Sequence, residues 1–376
     1  MVNTYVIYFL IKLNLFFYFL EIDSYYFPFI TNRLTMSINR KKHIDVNRLN
    51  YDNTKLTSLK ETEKNLLKEL NNVKEAKKQL IKENPLHIGV IGYGKFGKYL
   101  TDIFLNQGHN VSVLSRTNYS NMSCDKCIDI FYGLDIDDDK LNDSPWPLSQ
   151  EKNSYNNFFH KDFDIIVLSV SILSFEKVVK KIYNKLLDKD ILIVDVLSVK
   201  THPKFVLTKF LPKDCDILCT HPMFGPESAP VSRKNMKFMY DYISERSSDK
   251  ERIERFLSIF DEEGCQMIQM DSSDHDLKSA NSQFATHLIG RILQQLQLNS
   301  TSIDTKSFEK ILEIKNIVSD DSFDLFYGLY KYNPNSMKTL LLLQKALIEI
   351  EFKLNYMESL DLGIEGWKLD QDKFNL

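Results

Sequence analysis

The chain has 376 residues and a formal net charge of −3. That length suggests two domains plus extensions, and so weak a charge gives no electrostatic case for a nucleic-acid partner. Hydrophobic residues make up 43% of the chain, enough for sizeable cores, and an odd count of five cysteines in so long a chain argues for a reducing compartment over a disulfide framework.

Residues 1–35 contain "YVIYFLIKLNLFFYFL", apolar enough for a signal h-region or a marginal membrane span despite Lys12. No basic n-region precedes it and no small-x-small cleavage site follows. The next stretch, "TNRLTMSINRKKHIDVNRLN", is basic and poor in acids, as organelle transit segments are. Residues 1–55 therefore read as a targeting or disordered extension; alternatively Met36 is the start and the first segment lies outside the protein. Residues 56–86 read as one solvated helix. Ser58 and Glu61 have capping-box spacing. Leu59, Leu66, Val73 and Leu80 recur every seven residues with Leu70 beside them, a short coiled-coil seam that would pair chains, pack on the body or serve as a spacer.

From His87 the pattern changes to strand–helix–strand. "HIGVIG", "NVSVLS", "FDIIVLSVS", "DILIVDVLS" and "CDILCTHPM" are continuous apolar strands separated by helical runs, which predicts a parallel sheet covered on both faces over residues 87–270. Residues 137–160, rich in Asn, Asp and Lys, read as a disordered, low-complexity surface insertion. Cys124-x-x-Cys127 lacks a second pair or a histidine partner, so it reads as ordinary thiols and no metal site is expected. Residues 271–365 turn helical, with Asn333-Pro334 as a cap and first-turn proline. Their strongly apolar faces predict a second domain that buries surface against a partner chain.

Gly92-x-Gly94-x-x-Gly97 follows a strand and opens a helix, with Lys95 and Phe96 between its last two glycines. Gly92 permits the tight turn, Gly94 lets a pyrophosphate approach the backbone and Gly97 lets helix pack on strand. The helix N-terminus receives the phosphate charge. A dinucleotide fold that takes NAD has an acid at the end of its second strand, to accept from the ribose 2′-hydroxyl. Here that end reads Leu114-Ser115-Arg116-Thr117. Ser115 and Thr117 offer hydroxyls and Arg116 a guanidinium that pairs with phosphate, so the expected cofactor is NADP.

"VDVLSVK", "ILCTHPMFGPES", "SQFATHLIGR" and "DDSFDLFYGL", in this order with the glycine loop, closely resemble plant-type arogenate dehydrogenase, of the arogenate/prephenate dehydrogenases of tyrosine biosynthesis. The resemblance runs from about His87 to Met357. It implies an α/β fold, a Rossmann-type doubly wound sheet followed by an all-helical dimerisation domain of the 6-phosphogluconate-dehydrogenase-like kind, and a homodimer. The implied reaction is oxidative decarboxylation of arogenate or prephenate, in a plastid if the extension is a targeting segment and in the cytoplasm otherwise. His221 matches the catalytic histidine, and imidazole has a suitable pKa to take a hydroxyl proton near neutrality. Ser198 matches the serine that hydrogen-bonds the substrate hydroxyl and the histidine. Glu227 matches an acid near the site, with gating and substrate polarity both open as roles. Ser169 and Ser171 would line the nicotinamide side or cap the next helix. Ser282, Gln283, Thr286 and His287 match a polar face aimed at the substrate, with helix–helix hydrogen bonding as the alternative. Asp276 is the acid expected to read the ammonium that separates arogenate from prephenate. Three rival readings stand beside this one. A β-hydroxyacid dehydrogenase would need a lysine-centred helical site, which "SQFATH" lacks. A prephenate dehydrogenase shares the scaffold. A silent NADP-binding regulatory protein would not need both Ser198 and His221.

Overall fold

A computed structural model describes residues 53–117, 119, 128–133, 149–243, 246, 248–319 and 321–361. The possible targeting stretch and Cys124-x-x-Cys127 lie outside the described residues. Among the described residues no helix is long and apolar enough to cross a membrane. The chain divides into two compact units, residues 1–72 and 73–376. Helix α1 (Asn53–Glu83) runs the length expected. Leu59, Leu66, Leu70 and Val73 of its seam are 50–60% exposed, and nothing is described of the Leu80 side chain.

The second unit is built on one eight-stranded sheet of order β3-β2-β1-β4-β5-β6-β7-β8. Strands β1 (His87–Ile91), β2 (Asn110–Ser115), β3 (Asp129–Tyr132), β4 (Ile165–Leu168), β5 (Leu192–Asp195) and β6 (Asp216–Pro222) are parallel. Strand β7 (Lys237–Tyr242) runs antiparallel to β6 and carries β8 (Gln266–Gln269) beside it. The order reverses between β1 and β4, and an open sheet of this kind binds ligands outside the strand carboxyl ends at that point. The five strands read from apolar runs are the buried ones; β3, β7 and β8 add to them. Strands β3 and β8 alternate or half-expose their side chains, so they give no continuous apolar run.

Helices cover both faces. On one side α2 (Lys95–Asn106) and α6 (Lys250–Glu262) pack Leu100, Ile103, Phe104, Phe256 and Phe260 onto the sheet. On the other, α3 (Ser149–Phe159), α4 (Ile172–Ile182) and α5 (Thr201–Phe210) do the same with Phe158, Phe175, Val178, Val206 and Leu207. Helix α3 corrects the reading of 137–160 as a disordered insertion. Tyr155, Phe158 and Phe159 fall on one helical face among its Asn and Lys residues and are buried. Phe158 is fully buried beside Gly89 of β1, where a Cβ would come within 2.9 Å of its ring. Burying one such side chain stabilises by about 1.5–3 kcal/mol, enough to hold a polar segment in place. Residues 134–148 lie outside the described residues.

Beyond β8 come α7 (Ser272–Ser279), one π-helical turn (Ala280–Phe284), α8 (Ala285–Gln295), α9 (Lys306–Ser319), α10 (Phe323–Tyr332) and α11 (Ser336–Asp361). Phe284 and Leu329 join the core cluster that contains α4 and α5, and Phe284 stacks on Phe326 at 5.7 Å between ring centroids. Gly328 of α10 lets that helix close on Ile172, at the start of α4. The helical segment thus roofs the carboxyl ends of the central strands.

Candidate active site

The glycine loop meets its steric requirements. Gly92 has φ +101°, and a Cβ there would lie 2.2 Å from the Ser169 carbonyl oxygen. A Cβ on Gly97 would lie 1.9 Å from the Gly92 oxygen, whereas nothing lies within 4 Å of one on Gly94. Gly92 and Gly97 close the β1–α2–β4 junction, and Gly94 leaves room for a ligand over the turn. Helix α2 has no side-chain cap and no acid in its first turn. Its hydrogen bonding begins with Lys98 N–H to the Gly94 carbonyl, so the N–H groups of Lys95, Phe96 and Gly97 have no intrahelical acceptor. Such an end is suited to a diphosphate. At the end of β2, the Ser115 hydroxyl accepts from Thr117 N–H at 3.2 Å, and Arg116 and Thr117 are exposed. Ser115 therefore closes the turn after β2, and the Arg116 side chain stands exposed beside it.

A cavity of about 700 Å³ opens beside this loop, within the range of small-molecule sites. It is lined by Gly94–Gly97, Ser169, Ser171, Ser198, His221 and Glu227, and from the helical roof by Gln283, His287 and Asp321. Ser171 also caps α4 by accepting from Leu173 N–H. Glu227 forms an ion pair with Lys95 of the glycine loop. Two polar atoms on the roof, Gln283 Oε1 and His287 Nδ1, are buried without a hydrogen-bond partner. Buried orphans of this kind are uncommon and point to a polar ligand. The His287 ring lies 3.7 Å from the Asp321 carboxylate. Burial pushes the Asp321 carboxyl up, opposed by His287 and helped by Glu227.

His221 ends β6 and is 3% exposed. Burial, with His275 and Lys200 nearby, holds its imidazole well below the usual range. It is therefore neutral near pH 7 and able to accept a proton. Its Nδ1 lies 2.9 Å from His275 Nε2, and His275 Nδ1 lies 2.9 Å from Asp276 Oδ1. Lys200 is buried to 0% exposure and pairs with Asp195 and the Thr220 carbonyl.

Four sequence-based expectations change. Asp276 does not face the cavity. It is fully buried, and its carboxylate accepts from Lys200 N–H and Thr201 N–H, capping α5. Ser282 and Thr286 share a face, as a helical turn requires, but it is the exposed one, and Ser282 donates back to the Lys278 carbonyl. The π turn at Ala280–Phe284 adds a residue to the repeat and turns Gln283 and His287 inward instead. Ser198 lines the cavity, but no hydrogen bond joins it to His221, whose Nδ1 pairs with His275. Asp321 and His275 were not singled out from the sequence. Asp321 lies in the quoted "DDSFDLFYGL" and His275 directly precedes Asp276.

A family model for the nucleotide-binding domain of prephenate dehydrogenase matches residues 127–269, and a TYRAAT1-like, C-terminal domain model matches residues 292–362. The chain is similar to arogenate dehydrogenase 1, chloroplastic, of Arabidopsis thaliana, with 41% identity over 257 residues, 68% of this chain and 37% of the relative. It is also similar to arogenate dehydrogenase 2, chloroplastic, of the same plant, with 38% identity over 282 residues, 74% of this chain and 73% of the relative. The chain thus spans well under half the length of the first relative and about three quarters of the second. Among solved structures, prephenate dehydrogenase from Aquifex aeolicus superposes with a TM-score of 0.52 at 16% identity, covering 73% of this chain and 94% of that one. A putative prephenate dehydrogenase from Corynebacterium glutamicum gives 0.53 at 14%, covering 76% and 90%. At these identities the likeness is one of fold. The identity to the second plant relative over most of both chains decides the family: the chain belongs to the arogenate dehydrogenases.

Proposed function

We propose that the protein converts L-arogenate to L-tyrosine and carbon dioxide with NADP as hydride acceptor, as a step of tyrosine biosynthesis. The observation that supports this best is a cavity that joins the glycine loop, His221 and the polar roof of Gln283, His287 and Asp321. The glycine loop and Arg116 would hold NADP, which would supply a hydride acceptor at its nicotinamide ring. The protein's part is to hold the substrate ring carbon that bears the hydroxyl against that ring and to manage one proton. As hydride leaves, the O–H bond breaks and the proton passes to His221. The bond to the opposite ring carboxylate then breaks, carbon dioxide leaves, and its electron pair aromatises the ring. The phenolate oxygen takes the proton back from His221, so the sum is arogenate and NADP giving tyrosine, carbon dioxide and NADPH. Ser198 follows the neighbouring strand and lines the same cavity, which supports a hydrogen bond from it to the substrate hydroxyl.

The choice of arogenate over prephenate rests on charge. The two differ in an ammonium against a keto group. A carboxylate in the cavity attracts the first and offers nothing to the second. Asp321 and Glu227 both line the cavity, and Asp321 supplies the role that Asp276 cannot. The choice of NADP rests on Arg116 and the absence of an acid at residues 115–117. Exposed apolar residues across four helices support a homodimer, and the chloroplastic relatives support a plastid location.

Rates with arogenate, with prephenate and with neither, each with NADP and NAD, test the reading directly. Turnover of arogenate with NADP is expected to lead. A preference for prephenate overturns the substrate assignment, and turnover of neither overturns the reaction. Asp321→Asn should raise the prephenate-to-arogenate ratio of kcat/KM, and Arg116→Asp should narrow or invert the cofactor preference.

A further inference from the structure

The contacts behind His221 fix the placement of its proton. Asp276, His275 and His221 form a buried chain, with 0%, 4% and 3% exposure. Asp276 accepts the backbone N–H groups of Lys200 and Thr201 at 2.8 Å each and faces His275 Nδ1 at 2.9 Å. Burial pushes its carboxyl up, but the hydrogen bonds from His275, Thr201 and Lys200 outweigh that and hold it below the ordinary carboxylate range. An ionised carboxylate only accepts. His275 Nδ1 must therefore carry a proton, and in a neutral ring its Nε2 then accepts. The partner of that Nε2 is His221 Nδ1, 2.9 Å away, which must be the donor. The lone pair of His221 is left on Nε2, the nitrogen that does not face His275, and His221 lines the cavity.

We infer that His275 and Asp276 are positioning residues for the reaction: they hold His221 in the tautomer with its proton on Nδ1, and they stabilise the imidazolium that forms when Nε2 takes the substrate hydroxyl proton. This rests on the reading of His221 as the base. The positive charge that forms on His221 arises beside buried Lys200, which is itself paired with Asp195. A line of donors ending on a carboxylate offsets that repulsion, as in catalytic triads, where the acid orients and stabilises the imidazole without itself taking the proton. The geometry also accounts for a carboxylate buried next to a histidine pair at no cost in unpaired charge, since each oxygen has a donor. Asp276 serves twice: its carboxylate caps α5, and its backbone carbonyl accepts from Asn333 Nδ2. It therefore ties the sheet domain to the helical roof at the point where the base is oriented.

Because Asp276 also caps a helix, the test uses His275 in the full-length protein. His275→Phe keeps a ring and removes both hydrogen bonds. His275→Gln places an amide oxygen where Nε2 stood, within reach of His221 Nδ1–H. His275→Phe is expected to lower kcat for arogenate roughly 10–100-fold, at or below the lower end of the roughly 10²–10⁴-fold that general acid–base groups contribute directly, with the KM values for NADP and arogenate little changed. His275→Gln should recover most of that loss. If His275→Phe fails to fold, His275→Asn replaces it, since its shorter amide reaches Asp276 but not His221; Gln is then expected to be fast and Asn slow. Equal rates for the variants and the unmodified protein overturn the inference, as does a Gln variant no faster than Phe or Asn. A second readout is independent of turnover. In protein labelled with ¹⁵N-histidine, the ring nitrogens of His221, assigned by its loss in His221→Asn, should show the proton on Nδ1. A proton on Nε2 refutes the inference. Failure of the unmodified protein to turn over either substrate would refute the functional reading instead, and the tautomer would still decide the arrangement.

Discussion

His109 gives the protein an acid sensitivity that is independent of its chemistry. It is 5% exposed, its Nδ1 accepts the Leu86 N–H at 3.2 Å, and its Nε2 is buried without a partner. Burial, with Arg255 nearby and Asp164 opposing, pushes its pKa down to about 4. An unfolded histidine titrates near 6.5. Below that pH the unfolded chain binds a proton that the native chain declines, so stability is full above pH 6.5 and falls as pH drops toward 4. The part lost between pH 7.5 and 5 is about 2 kcal/mol. Urea midpoints at those two pH values should show a smaller loss in His109→Gln than in the unmodified protein, although the variant starts less stable for want of the ring acceptor. Equal losses would remove His109 as the cause. At the site, His221→Asn should keep binding of the nicotinamide cofactor and lose roughly 10²–10⁴-fold in kcat; full activity would take His221 out of the proposed mechanism. The sequence placed His221 and the glycine loop, because each sits at a strand end where a local pattern fixes its surroundings. It misplaced Asp276, because its partners Lys200 and Thr201 are some 75 residues away along the chain. An acid at a helix start looks alike whether it faces a ligand or caps a second helix.

The elements show the same division. Strands buried on both faces are legible as apolar runs, and β1, β2, β4, β5 and β6 were. Helix α3 was not, because three aromatics at helical spacing carry it while its remaining positions are polar. The π turn at Ala280–Phe284 is invisible to a 3.6-residue repeat, and it decides that Gln283 and His287 face the cavity while Ser282 and Thr286 do not. The close approach of α8 and α9 depends on one glycine. A Cβ at Gly290 would come within 2.7 Å of Val318, which is 2% exposed. Gly290→Ala should therefore destabilise by about 1–3 kcal/mol, the usual cost of overpacking, despite alanine's better helix propensity. Adding Val318→Ala should return part of that loss, since the colliding methyls are gone. Thermal unfolding of the two single variants and the double variant measures the coupling; strict additivity would mean that the two residues do not meet as described.

At the scale of the whole molecule, the helical segment leaves apolar surface uncovered among the described residues. Ile289 and Ile292 of α8, Leu296 directly after it, Ile317 of α9, Phe323 of α10, and Leu341, Leu347, Ile350, Leu354 and Leu360 of α11 are all at least 42% exposed. Helix α11 carries apolar side chains around its circumference, and a helix of that kind is stable only when enclosed. Exposed apolar patches larger than a few hundred Å² are rare on monomers. The proposed occupant is a second copy of the chain, because a two-fold contact lets one self-complementary surface cover itself. The seam of α1 offers a different contact, with Leu66 and Leu70 at 60% and 50% exposure. Full-length variants separate the two. Ile350→Glu with Leu354→Glu should convert a homodimer to a monomer by analytical ultracentrifugation and lower the melting temperature, since the same surface stabilises the helical roof over the cavity. Leu66→Glu with Leu70→Glu should leave the dimer and its activity unchanged. A dimer that survives the α11 changes and dissociates on the α1 changes would move the contact to the seam, and a monomeric unmodified protein would refute the homodimer.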